Sequence, residues 1–143
     1  MNKDDISADD RNAGKEVEQW IGEEVAKEMK AAAFELYRQI TIATPVDTGR
    51  ARLGWNISIN APSNYLPPSA KKGEKLPAPD IAAAWEVVNG ITVADTIYIT
   101  NNVPYINRLN MGWSAQAPAN FVEQAMARVQ AATGDQIGIE RQI

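Results

Sequence analysis

The chain has 143 residues and contains neither cysteine nor histidine, so it is about the size of one domain and has no disulfide, Cys/His metal site or Ser-His-Asp triad. Its net charge of -4 has the wrong sign for a free-standing protein that wraps DNA phosphates. The sequence has no uninterrupted apolar run of about 18 residues, so we expect either a soluble cytoplasmic protein or part of an assembly that is built in the cytoplasm.

The acidic charge lies at the N-terminal end. Residues 1–30 hold nine acidic and five basic residues, which account for the whole net charge. We expect residues 1–13 to form a flexible acidic arm. The simpler interpretation of the remaining acids is a solvated helix face, and the alternative is a negative surface that repels or steers an anion.

A long amphipathic helix is predicted next. From about Gly14 to Ala43 apolar residues recur every three or four positions, as one face of a helix requires. Such a helix measures roughly 45 Å, which exceeds the width of a compact domain of this size, so part of it is expected to project or to pack on another subunit. Pro45 disfavours helix at Thr44 and begins a turn signal.

Two stretches then alternate apolar and polar residues, as strands with one buried face do. The first covers residues 51–59 and places Arg50 and Arg52 on one side of its beginning. The second covers residues 91–100 and contains Asp95, which is expected to be available for pairing with either arginine.

A loop and a short helix are predicted between the strands. Residues 61–80 contain five prolines and three lysines, which indicates a long exposed loop. Asp80 is expected to cap a helix over residues 81–88.

The C-terminal third is predicted to be helical. A turn and a short helix occupy residues 101–112, and Pro118 opens the last helix. Residues 133–143 form a tail that could add to a neighbouring subunit's sheet edge. Taken together, residues 14–132 are expected to form one α+β domain, with the long N-terminal helix and the C-terminal helix packed on a small antiparallel sheet.

No pattern predicts a catalytic, cofactor-binding or metal site. Asp47 and Asp95 are the carboxylates considered for acid-base chemistry, but the preferred interpretation of Asp47 is a turn or cap residue. The glycines form no phosphate-binding loop. The basic residues lack interleaved aromatics and are a weak nucleic-acid patch, so a solvated edge or a subunit salt bridge is favoured; they are Arg50, Arg52, Lys71, Lys72 and Lys75.

Two segments carry a family resemblance. Residues 44–55 read TPVDTGRARLGW after the long helix, and residues 102–118 read NVPYINRLNMGWSAQAP before the last one. In order, spacing and context they resemble the neck or tail-completion proteins of long-tailed bacteriophages, which are head-tail connectors or minor tail components, over about residues 20–130. The positions that carry the resemblance are Thr44, Pro45, Asp47, Thr48, Gly49, Arg50, Trp55, Tyr105, Gly112, Ser114, Gln116, Ala117 and Pro118. Where the family has an acidic residue before the glycine turn, this chain has Asn110 and Met111.

The resemblance implies a non-enzymatic virion protein at the phage neck, without a cofactor. Its partners would be further copies of itself in a ring of about six or twelve subunits, neighbouring connector or adaptor proteins, and tail terminator or tail tube proteins. DNA would pass through the ring without sequence-specific binding. A negative channel would keep DNA from sticking, so we expect the channel to be lined by Glu16, Glu23, Glu24 and Glu28.

Loop aromatics and the tail are the candidate interface residues, because exposed aromatic side chains often anchor protein interfaces. They are Tyr65, Trp113, Ile137 and Ile139. Two other functions stay open at this point. One is an interaction adaptor unrelated to phages, and the other is a hydrolase that uses Asp47 and Asp95.

Overall fold

The computed structural model describes residues 8–114, 119–134 and 137–141, and their side chains from residue 22 onward. Within these ranges the chain forms five helices and a two-stranded antiparallel sheet. The α+β class predicted from the sequence is therefore confirmed. The elements are α1 (Ala8–Ala43), α2 (Arg50–Leu53), β1 (Asn56–Ile59), α3 (Ile81–Val88), β2 (Ile97–Thr100), α4 (Ile106–Asn110) and α5 (Phe121–Thr133).

Helix α1 is longer than predicted. It has 36 residues, or about 54 Å at the usual rise per residue, and it begins at Ala8 rather than near Gly14. Residues 8–13, which the sequence assigned to the flexible arm, are thus helical, and residues 1–7 lie outside the described residues. No helix in the described part of the chain is both long and apolar enough to span a bilayer.

The core lies between the C-terminal half of α1 and helix α5. Ala32, Leu36 and Ile40 are buried on one stripe of α1, at the four-residue spacing that places side chains on the same helix face. They pack against the buried face of α5, against Trp55, which precedes β1, and against Ala84 of α3. The buried residues of α5 are Phe121, Val122, Ala125 and Val129.

The sheet is covered by this helical core. In the antiparallel register Ile57 pairs with Ile99, and both side chains pack against the buried cluster. On the opposite face the Thr100 hydroxyl donates a hydrogen bond to Asn56 Oδ1 across the strands, at 3.2 Å. Two strands alone are marginally stable in water, so packing against the helices is what stabilises them.

The first predicted strand is wrong at its beginning. Residues 50–53 form the helical turn α2, in which Leu53 N donates to Gly49 O at 2.8 Å and Gly54 N donates to Arg50 O at 3.0 Å. Alternation over only a few residues also fits one helical turn, so the pattern did not separate the two structures. Arg50 and Arg52 therefore do not flank a strand.

The second predicted strand is also shorter than expected. Residues 92–95 make a turn, because the Asp95 carboxylate accepts a hydrogen bond from Thr92 N at 2.8 Å. Asp95 also accepts from Asn60 Nδ2 at 2.9 Å, so its partners are these two residues rather than Arg50 or Arg52. The Asn60 and Thr92 hydrogen bonds lower the pKa of Asp95 from its ordinary value.

The proline-rich loop is confirmed, and it is anchored. The described residues 61–80 contain neither helix nor strand. Pro67 is nevertheless fully buried, and Asn102 Nδ2 donates to the carbonyls of Ser63 at 2.9 Å and Tyr65 at 3.0 Å. Helix α3 follows at the predicted bounds, although within the described chain Asp80 makes no capping side-chain hydrogen bond.

The described part of the tail folds back on its own chain. Gln130 Nε2 donates to Ile137 O at 2.8 Å, and Gln130 Oε1 accepts from Ile139 N at 3.2 Å. Ile139 packs against the core, and Arg141 forms an ion pair with Glu123. Ile139 is thus partly buried within its own subunit.

We expect Gly54→Ala to destabilise the fold. An added Cβ would lie 2.7 Å from both Asn101 Oδ1 and Val103 Cγ2, so α2 or the segment after β2 must shift, at a cost of about 1–3 kcal/mol. Urea unfolding monitored by circular dichroism measures this loss. Gly90→Ala is the matched control because no atom lies within 4 Å of its added Cβ, and equal stability of the two variants would contradict the prediction.

Candidate functional site

The two segments that carry the resemblance meet in the structure. Both line a cleft of about 480 Å³, which we call the motif cleft. The first segment contributes residues 45–51, and the second contributes Tyr105, Leu109 and Ser114. Ser69 and Ala70 of the proline-rich loop also line it.

Thr44 connects the end of α1 to the sheet. It is 0% exposed, and its hydroxyl donates to Ile40 O and accepts from Trp55 Nε1, both at 2.7 Å. The buried indole N–H therefore has the partner that burial requires. Tyr37 adds a longer hydrogen bond to Trp55 O at 3.4 Å, and burial raises the pKa of Tyr37.

Arg52 caps the C-terminal end of α1. Its Nη2 donates to Ile42 O at 2.9 Å and to Thr44 O at 3.0 Å. The last carbonyls of a helix lack partners within the helix and carry partial negative charge. The last turn of α1 contains no basic residue, so Arg52 supplies the positive charge from outside it.

The turn after α1 holds the proline-rich loop. Gly49 has φ +91°, and a Cβ there would lie 3.2 Å from Leu76 O, so both backbone conformation and space favour glycine. Thr48 O accepts from Leu76 N at 2.7 Å, and Arg50 Nε donates to Pro67 O at 3.4 Å.

Asp47 lies in the bend after α1, as predicted, but the side-chain contact of this turn comes from its neighbour. Thr48 Oγ1, rather than an Asp47 oxygen, accepts from Arg50 N at 3.3 Å. Asp47 is exposed, and its backbone carbonyl accepts from Lys75 Nζ. The side-chain turn contact thus belongs to Thr48, and Asp47 lines the motif cleft.

Asn110 caps helix α5. It is buried, its Oδ1 accepts from Val122 N at 3.0 Å, and its Nδ2 donates to Glu123 Oε2 at 2.8 Å. In the sequence, Asn110 differs from the pattern of the resembled family, and nothing else marks it. Its capping contact joins residues separated by a turn, so no local spacing rule signals it.

Gly112 makes the close turn between α4 and α5. Its φ is +93°, and a Cβ would lie 3.1 Å from Ala119 Cβ. Three other predicted positions, Gln116, Ala117 and Pro118, lie outside the described residues. The helix that Pro118 was expected to open begins at Phe121.

The candidate interface aromatics differ in exposure. Trp113 is 70% exposed, with the Arg108 guanidinium 5.4 Å from its ring centre, and the neighbouring Met111 is 66% exposed. Tyr65 is 43% exposed, whereas Tyr105 is half-buried in the motif cleft. Trp113 and Met111 thus form an apolar patch next to Ser114, which lines that cleft.

Acidic side chains are exposed along α1. Glu23, Glu24 and Glu28 all face solvent, and only one of these three, Glu24, forms an ion pair in the described structure, with Lys27 at 3.3 Å. The Glu16 side chain lies outside the described residues. These three exposed acids lie on α1 N-terminal to Ala32, where the stripe that packs into the core begins.

The two candidate catalytic carboxylates are not brought together. Asp47 lines the motif cleft, whereas Asp95 lines a separate groove of about 870 Å³ between α1, β2, α5 and the tail. Among the described residues no group of three or more acids could hold a metal ion. The motif cleft is thus lined by both apolar and polar residues, with Asp47 and Arg50 as its charged groups.

Comparison with protein-family models, curated proteins and solved structures finds no match to this chain.

Thr44→Val is expected to lower stability by about 1–3 kcal/mol, because it leaves the buried Trp55 N–H without an acceptor. Thr44→Ser keeps the hydroxyl and should lose less. Thermal and urea unfolding of both variants measure the difference. A valine variant as stable as the serine variant would show that the Thr44–Trp55 hydrogen bond is unimportant.

Asn110→Ala is expected to cost about 1–2 kcal/mol, because Val122 N loses its cap and Glu123 loses a donor. Amide hydrogen exchange should show faster exchange in the first turn of α5. Asn89→Ala, at the exposed end of α3, is the control and should leave that turn protected. Unchanged protection at Val122 in Asn110→Ala would contradict the assigned cap.

Proposed function

We propose that this chain is a structural, non-enzymatic protein of the neck of a long-tailed bacteriophage, where it forms a ring around the DNA channel and takes part in joining head and tail. One observation carries the proposal. Residues 44–55 and 102–114, which bear the resemblance to neck proteins, pack together around the motif cleft and hold the ends of both core helices.

The polar groups of these segments support an architectural role. Thr44, Arg52 and Asn110 each bond to backbone groups at a helix end. These hydrogen bonds fix the directions of α1 and α5. A scaffold that must present surfaces at fixed angles to neighbouring subunits needs this rigidity.

The shape of the chain supports assembly. A compact domain of this length has a radius of gyration of about 15 Å. Helix α1 alone is about 54 Å long, which is longer than such a domain is wide. The part of α1 that precedes the core therefore has surface to offer to another copy. In a ring each subunit presents one surface to a different surface of the next.

The charge distribution supports a channel through which DNA moves. Exposed Glu23, Glu24 and Glu28 lie on α1, and we place them towards the lumen, where negative charge repels phosphates and prevents sticking. DNA then passes without sequence-specific contacts. The neighbours in this proposal are connector or adaptor proteins on the head side and tail terminator or tail tube proteins on the other.

Electron microscopy of purified phage particles, with this chain located by a fused tag, tests the proposal. We expect density for a ring of this protein at the head-tail junction. Deleting its gene should leave full heads and finished tails that do not join. As a control, a plasmid copy should restore infectivity.

Normal infectious particles without this chain would contradict the proposal. Sedimentation separates it from an adaptor role. A neck protein forms a closed ring, alone or on its neighbours, whereas an adaptor forms a simple complex of one copy with one partner.

A further inference from the structure

We propose that the motif cleft binds the acidic N-terminal segment, residues 1–10, of a neighbouring copy of this chain. The inference rests on the proposed ring and names the contact by which one copy holds the next. It follows from the charge of the cleft, the chemistry of the segment and the length of α1.

The rim of the cleft is basic, whereas the lining holds one basic and one acidic residue, Arg50 and Asp47. Arg50 lines the cleft, and exposed Lys71 and Lys72 directly follow the lining residues Ser69 and Ala70. Lys75 also lies at the rim, with its ammonium on Asp47 O. The nearby acids are Asp47 and Glu74, and Glu74 is held by Lys71 N at 3.0 Å. Basic groups therefore outnumber acidic groups around the cleft.

The proposed occupant has the complementary charge. Residues 1–10 read MNKDDISADD, with two pairs of aspartates, one lysine and one isoleucine between the pairs. Carboxylates suit Arg50 and the loop lysines, and Ile6 suits the apolar lining from Pro45, Val46 and Leu109. A volume of about 480 Å³ lies within the range of pockets that hold small ligands, so it can accept a few residues of this segment.

The length of α1 requires the segment to come from another copy. The cleft begins at Pro45, just beyond the C-terminal end of α1, whereas residues 1–7 precede its other end, about 54 Å away. Seven fully extended residues reach at most about 25 Å. A chain thus cannot fill its own cleft, and successive copies joined in this way make a head-to-tail contact, the type of interface that generates a ring when the rotation between copies closes.

A peptide of residues 1–10, acetylated, amidated and labelled with an uncharged dye, tests the contact by fluorescence anisotropy. The receptor is the full chain with Asp4→Lys and Asp5→Lys, whose own segment does not compete. We expect saturable binding that weakens as salt is added and weakens about tenfold, or 1.4 kcal/mol, when Lys71→Glu and Lys72→Glu are added to the receptor. Lys27→Glu and Lys30→Glu on α1 are the matched control and should leave binding unchanged.

Mixing the charge variants tests the same contact in assembly. D4K/D5K alone and K71E/K72E alone should both assemble poorly, because each sets like charges against each other. An equimolar mixture should restore the ring, since every lysine-bearing segment then meets a glutamate-bearing cleft and every native segment meets a native cleft. Sedimentation velocity measures the recovery of the ring. The neighbouring neck proteins are added to the mixture if the ring forms only on them.

Absence of peptide binding, or equal binding to the K71E/K72E receptor, would overturn the inference. So would a D4K/D5K chain that assembles as wild type does. These results would leave the neck ring intact as a proposal. Conversely, peptide binding to the cleft in a protein that is missing from phage necks would retain the contact between copies and reject the neck function.

Discussion

The fold depends on the buried junction at the end of α1, where the Thr44 hydroxyl bonds to both Ile40 O and Trp55 Nε1. This single hydroxyl bonds to the last turn of the helix and satisfies a buried indole, while Pro45 disfavours continuation of the helix. Arg52 then donates hydrogen bonds to the carbonyls of Ile42 and Thr44 at the same helix end. Because β1 begins directly after Trp55, the position of the sheet relative to α1 follows from these contacts.

Helix α5 is held by the same principle with different residues. Asn110, from α4, caps its first turn, and Glu123 of that turn contacts both Asn110 and Arg141 of the tail. Each core helix therefore has one end fixed by a side chain from a different element. These contacts fix the helix ends from which the two segments of the motif cleft extend.

The sequence predicts those parts of the fold that local patterns govern. The stripe on α1, the bounds of α3 and the proline-rich loop depend on nearby residues, and each was predicted correctly. Helix α2 was missed because four residues are too few to distinguish the periodicity of a helix from that of a strand. Residues 92–95 were predicted as strand but form a turn, because the Asp95 carboxylate bonds back to Thr92 N. Arg52 and Asn110 act on helix ends to which they are not adjacent in sequence, so their roles needed the structure. The two segments of the cleft were singled out in advance, but their meeting was visible only in three dimensions.

The separation of charge along the molecule gives the chain a direction. Nine acidic residues precede the core-forming half of α1 in the sequence, and the basic loop packs on the turn beyond the C-terminal end of this helix, which is about 54 Å long. A compact domain would allow these charges to pair within one chain and cancel. The length of α1 keeps these charged regions of one chain apart, so in the ring proposed above their attraction acts between copies.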